Sequence, residues 1–210
     1  MRVGDIKVEA LKLMFVNYSD DIRLEELPDL GGQEDYRTYL VNMNGAINRC
    51  FADLESKHVL PVKVYPLETT EGLASGSSLR FDLSVLLSDF FDVSRLICDA
   101  PDGYCGDCEY QREGDTLVLR DFDQSAEYRL LYYPKLPRVT DLSGDHDELP
   151  IPEEIAAFIP YFVKGDLYRD DEPNEASEAR NWYEAAMEQI KESRANKTSR
   201  VVTVYSQVDV

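Results

Sequence analysis

The chain has 210 residues, enough for one large domain or two small ones with a real hydrophobic core and no need of staples. Hydrophobic residues make up 43% and the mean hydropathy is −0.39, the balance of a globular chain that keeps its surface wet. Against 41 acidic residues stand 22 basic ones, a net charge of −19 with a pI near 4.4. That balance argues against a general binder of phosphate backbones, which needs a basic face, and against docking on an anionic membrane leaflet.

No run approaches the roughly 18 apolar residues of a membrane-crossing helix. The opening Met1-Arg2-Val3-Gly4-Asp5 has no apolar signal core, so nothing suggests export and the expectation is a protein made in the cytoplasm. The sequons at Asn17 and Asn196 are then chance, and Cys50, Cys98, Cys105 and Cys108 read as thiols rather than a disulfide framework.

Taken in chain order, the first element is a helix that Asp5 can cap, with Val8, Leu11, Phe15 and Tyr18 on one face. Leu27–Gly32, with a proline and paired glycines, reads as a loop. Tyr36, Leu40, Met43, Ile47, Cys50 or Phe51, and Leu54 then mark a long helix. Gly45 inside it costs about 1 kcal/mol of propensity, which a close helix–helix approach would explain. Near Val59 the period changes to two. Val62 and Val64 flank Lys63, and Leu79, Phe81, Leu83, Val85 and Leu87 alternate with polar residues. With Ser94–Cys98, Thr116–Phe122 and Glu127–Tyr133 these predict one small antiparallel sheet, ended by Pro134 and Pro137.

An acidic linker, Asp141–Glu148, leads to a helix starting at Pro152 and kinked at Pro160. A helix through Ala179, Trp182, Tyr183, Ala186 and Ile190 runs back on it as an αα-hairpin. The expected hairpin core is Ile155, Phe158, Phe162, Trp182, Tyr183 and Ile190. Lys191, Arg194, Lys197 and Arg200 then form a basic run, and the valine-rich Thr198–Val210 reads as an extended arm. The fold class expected is α+β. Its parts are an N-terminal helical part (1–59), an inserted β subdomain (60–140), a helical hairpin (141–197) packing on the first helices, and the arm (198–210).

Chemical motifs are few. Cys98, Cys105 and Cys108 supply one C-x-x-C knuckle and a third thiol, while a structural zinc site usually takes two knuckles. A fourth ligand would have to be Cys50, His58 or His146. The favoured reading is a tight hairpin with cysteines as small side chains, with metal the alternative. A redox reading is weaker, because Glu109-Tyr110-Gln111 looks like a strand where a helix N-terminus is needed. Neither histidine has a nucleophile partner at a recognisable elbow. Gly72–Ser78 lacks the phosphate-loop lysine, and Asp121–Ser125 lacks the glycine and glutamate of a calcium loop. No cofactor is implied. The acidic charge is uneven: residues 141–175 hold 11 acidic residues against Lys164 and Arg169, nearly half of the net charge. Such a stretch is a solvated face, or a surface that must repel something negative.

Leu149-Pro150-Ile151-Pro152-Glu153-Glu154, the aromatic helix through Phe158–Phe162, Gly165-Asp166-Leu167-Tyr168, and Ala176-x-x-Ala179-x-x-Trp182-Tyr183-Glu184-x-Ala186-Met187 together resemble the C-terminal half of head–tail connector (adaptor) proteins of tailed bacteriophages. The Asn-rich helix Tyr36–Leu54 and the stretch Leu83–Val93 are similar to that family's first half and its passage into the β part. The likeness is one of order and pattern over roughly residues 5–195. It implies a non-enzymatic virion protein at the head–tail junction, forming a closed ring of about twelve copies. The ring would join the portal protein to the stopper or tail-completion protein. DNA would pass through its channel without sequence-specific binding, and no membrane is involved. In that setting Lys197, Arg200, Val201, Val202, Val204, Tyr205 and Val208 form the partner-docking arm. The competing reading is an acidic metal-binding regulator or DNA mimic.

Overall fold

A computed structural model describes residues 1–15, 22–68, 78–99, 105–120, 123, 125–141 and 143–205, with backbone alone at 105 and 195–205. The chain begins with α1 (Val3–Met14), whose third residue, Asp5, accepts a hydrogen bond from the Arg2 amide at 2.9 Å. A 3-10 turn (Leu24–Glu26) runs into the short α2 (Leu27–Leu30). The loop expected there is thus partly helical, because Pro28 sits in the first turn, where its missing N–H costs nothing. The long α3 (Glu34–Ser56) buries Met43, Ala46, Ile47, Cys50, Phe51 and Leu54. It closes with a Schellman turn. His58 is left-handed (φ 54°), its amide donates to Glu55 O, and the Val59 amide donates to Leu54 O.

β1 (Lys63–Leu67) and β2 (Leu79–Asp82) follow, then α4 (Leu83–Leu86). The alternating stretch 79–87 is therefore a strand for only half its length. Asp82 ends it by accepting from the Ser84 and Val85 amides at 3.1 and 3.3 Å, which caps a helical turn. β3 (Phe90–Asp99), β4 (Cys105–Asp107), β5 (Tyr110–Glu113), β6 (Thr116–Leu119) and β7 (Glu127–Pro134) complete this part. Two antiparallel sheets form where one was expected, in the orders β1-β7-β3-β4 and β2-β6-β5. Thr116–Leu119 cannot serve both sheets. It pairs with β2 (Leu79 opposite Leu119) and with β5, while β7 takes β1 and β3. Leu79, Leu83, Leu96, Leu117, Leu130 and Tyr132 put side chains from both sheets into one core.

The remaining helices are α5 (Glu153–Ala156), α6 (Ile159–Leu167) and α7 (Pro173–Tyr205). Pro160 does more than kink. The helix breaks at 157–158 and restarts with Pro160 in its first turn. α6 buries Ile159, Phe162 and Val163 and packs against α1, α3 and α7. Gly165 permits the approach to α7: a Cβ there would stand 3.0 Å from Ala176 O. Gly45 is not the close-approach glycine, for the nearest atom to a Cβ there is the Arg49 guanidinium of its own helix, 3.3 Å away.

The extended arm is also corrected. α7 is helical through Tyr205, so residues 198–205 continue the helix, and 206–210 lie outside the described residues. The strand preference of three valines amounts to tenths of a kcal/mol each, while every residue added to an existing helix gains a backbone hydrogen bond without a new nucleation cost. The chain divides into two compact units, a helical one (Met1–Val59 with Arg138–Val210) and a sheet one (Leu60–Pro137). No described helix is long and apolar enough to cross a membrane.

Candidate functional site

The acidic stretch 141–175 has a sorted charge distribution. Several of its carboxylates are neutralised within the helical unit: Asp145 by Lys7 at 2.8 Å, Asp166 by Arg49 at 2.5 Å, Glu154 by Arg194 at 2.5 Å and Glu175 by Lys164 at 2.8 Å. Glu148, Glu153, Asp170, Asp171 and Glu172 stand exposed, the last three in the turn between α6 and α7. Tyr39 Oη reaches Asp171 at 3.3 Å, and both burial and that carboxylate raise the tyrosine's pKa. The turn is a knob of negative charge.

Beneath it α3 and α7 share a polar network. Cys50 and Asp53 lie a turn apart on α3, with Lys57 at its C-cap; Arg180, Tyr183 and Glu184 lie on one face of α7. Tyr183 Oη donates to Asp53 Oδ2 at 2.7 Å. Lys57 Nζ donates to the same oxygen at 2.7 Å and to Glu184 Oε2 at 2.7 Å. The Arg180 guanidinium stacks 3.9 Å from the Phe162 ring centre, and Phe162 meets Tyr183 edge-on at 5.0 Å. Burial first, then the Cys50 and Asp53 neighbours, hold the Tyr183 hydroxyl protonated; burial also pushes the Cys50 thiol up. The groups are matched donor to acceptor, so the network positions helices rather than chemistry.

Of the expected hairpin core, Ile155, Phe162 and Tyr183 are buried, and Phe158 and Ile190 are half-buried. Trp182 is a correction. It is 60% exposed, because the buried line of α7 is Ala176, Ala179, Tyr183, Ala186 and Met187, and its neighbour in sequence is turned about 100° away from that line. Among the described residues the other large apolar side chains left in solvent are Val41 in the helical unit and Val62, Val64, Val85 and Leu86 in the sheet unit. Val64 belongs to β1, an edge strand, and Val85 is 79% exposed on the single turn of α4.

The cysteine motif falls in the sheet unit. Cys98 is buried in β3, and Cys108 follows β4 with its amide donating to Leu96 O at 2.8 Å. Burial and the adjacent Cys98 thiol push Cys108 up to about 12. Among the described residues no three His, Cys, Asp or Glu side chains stand together as a metal cage. Asp123 Oδ1 accepts from the Ser125 amide and hydroxyl, closing a turn. Tyr18, Gly72–Ser77, Asp121, Phe122, Gln124 and Val208 lie outside the described residues. So do the side chains of Cys105, Lys197, Arg200, Val201, Val202, Val204 and Tyr205.

No family model and no curated protein matches this sequence. The functional reading therefore rests on the surface itself: exposed acid, a bare indole on α7, and bare valines in the sheet unit.

Sequence reasoning passed over Trp182 and Val85 as surface groups. A signal was present for each. Tyr183 stands seven residues from Ala176 and four from Met187, on their face of the helix, whereas Trp182 falls about 120–140° from both, and Asp82-x-Ser84 is a capping pattern that ends the strand before Val85.

Proposed function

We propose that this chain is a structural subunit that closes with further copies into a ring, at the junction of head and tail in a tailed bacteriophage. The ring joins the portal to the stopper or tail-completion protein and surrounds the DNA exit channel. The observation that carries the reading is Trp182, an indole 60% exposed in the middle of a long helix. Tryptophan is enriched where subunits meet, since it removes more apolar area from water than any other side chain. The bare valines of the sheet unit support it, because a head-to-tail contact needs two different patches on one chain, and such contacts form a ring when the rotation between copies closes.

The exposed carboxylates of 141–175 fit a wall past which DNA slides. Like charges repel within about a Debye length, ~8 Å at physiological salt, so phosphates are kept from adhering. The decisive experiment is native mass measurement of the purified full chain with negative-stain imaging, alone and with capsids that lack it. One closed ring size, and capsids that gain density at a single vertex, is the expected result. A chain that stays monomeric at its highest soluble concentration and leaves the capsids unchanged overturns the proposal.

A further inference from the structure

A second feature of the helical unit takes no part in the reading above. Between α1, the 3-10 turn and the α5–α6 segment lies a groove of about 850 Å³. Its floor is buried Val8, Ile22, Ile151 and Pro160; its walls are the half-buried Leu13, Leu24 and Tyr161, with Ala157 exposed. Asp5, Glu9 and Glu153 stand along it, together with Lys12 and Arg23, and Lys12 is already tied to Glu9 at 2.9 Å. The shape and lining suit an amphipathic helix laid in a furrow.

We infer that this groove receives the distal part of α7 from a second copy of the chain. Three observations select that occupant. In sequence, Val201, Val204, Tyr205 and Val208 stand at i, i+3, i+4 and i+7, the spacing of anchors that a groove reads from one helix face. The preceding stretch, Lys191 to Arg200, carries four basic residues against Glu192 alone, while the rest of the helical unit is strongly acidic; the unit of a neighbouring copy therefore attracts this stretch as a whole, the groove's own Asp5, Glu9 and Glu153 standing beside Lys12 and Arg23. The third observation excludes the chain's own tail. Arg194 is tied to Glu154, the neighbour of groove-lining Glu153, and α7 runs on as helix for 11 residues to Tyr205. At 1.5 Å per residue that carries Tyr205 about 16 Å further along the axis, so filling its own groove would require breaking the helix. A neighbouring copy meets no such obstacle. The contact takes its biological setting from the ring reading, yet it is tested apart from it.

The probe is a fluorescein-labelled peptide of residues 191–210, titrated into the full chain carrying Val201→Asp and Tyr205→Asp so that its own segment does not compete. Saturable binding by anisotropy is expected, weakened about tenfold or more by Ala157→Trp, which fills the groove from an exposed position, and by Glu153→Lys. Circular dichroism of both groove variants checks that the helices are intact. No saturable binding, or binding that Ala157→Trp leaves unchanged, overturns the inference. Native mass separates it from the ring: an unaltered ring in the Val201→Asp/Tyr205→Asp chain sinks the contact alone. Peptide binding by a chain that never assembles sinks the ring alone.

Discussion

Replacing Tyr183 by phenylalanine removes one oxygen from the centre of the helical unit and nothing else. That oxygen donates to Asp53 Oδ2 at 2.7 Å from a side chain with no exposure. A hydrogen bond to a charged group is worth about 1.5–3 kcal/mol, and more is lost if the abandoned acceptor is left dry. Asp53 is not abandoned, for Lys57 Nζ stays at 2.7 Å and the Arg180 guanidinium at 3.8 Å. The expected loss is therefore at the low end, about 1.5 kcal/mol. Tyr183→Ala also removes the ring, with its edge-on contact to Phe162 and the Lys57 ammonium 5.0 Å above its face. Large-to-small changes of buried aromatics cost about 3–5 kcal/mol, and the alanine variant should reach the top of that range. The chain's single tryptophan, Trp182, reports urea unfolding of the same unit from the adjacent position. A double-mutant cycle with Asp53→Asn isolates the pair. If Tyr183→Phe shifts stability by less than about 0.3 kcal/mol, or the cycle shows no coupling, the network does not hold the helices as described.

Trp182→Ala should cost less than about 1 kcal/mol in the isolated chain, as expected of a surface position, while lowering the mass of the assembly. A loss comparable to that of Tyr183→Ala would return the indole to the core. The two helical glycines should part ways in thermal melts. Gly45→Ala gains about 0.5–1 kcal/mol, because only the flexible end of Arg49 stands near; Gly165→Ala loses about 1–3 kcal/mol, because its neighbour is the Ala176 carbonyl. The same sign in both would refute the packing described. Acid should weaken the sheet unit through Asp89. Burial alone would raise its pKa, but hydrogen bonds from Lys63 and Tyr132 outweigh that and leave it lowered. A carboxylate with a lowered folded pKa adds stability above its unfolded value near 3.9, lost as pH falls through the folded value. Asp89→Asn should remove that part of the acid dependence, and an unchanged pH profile of urea midpoints would count against it.

Sequence pattern and structure agree best where one period governs a long element. The stripe from Met43 to Leu54 is apolar at helical steps throughout, and α3 buries it. They part where two signals compete over a few residues. Leu79–Leu87 alternates cleanly, yet the Asp82 side chain captures two amides and turns the chain after four strand residues. At 182–183 two large aromatics stand side by side and only one can face inward. Size favours the indole, whereas phase with Ala176 and Met187 selects the tyrosine. At 201–204 β-branched residues suggested a strand, and the helix already running through residue 200 overrode them. The groove could not be read from sequence, since its lining comes from Val8, Ile22 and Tyr161, far apart in the chain.

The pairing of β1 with β7 bears on how the chain folds. Lys63 lies opposite Tyr132, so the place where the chain enters the sheet unit and the place where it leaves are held side by side. The helical unit is assembled from two stretches separated by the whole of residues 60–137. Closing so long a flexible loop, rather than one of some ten residues, costs about three doublings of length, roughly 2 kcal/mol. A sheet unit that forms first removes most of that penalty, acting as a clasp that delivers residue 138 close to residue 59. The order expected on that ground runs outward from the insert: sheets, then the meeting of α3 with α6 and α7. Chevron kinetics would show it as helical-unit refolding that slows when β1–β7 pairing is weakened, with its unfolding rate unchanged.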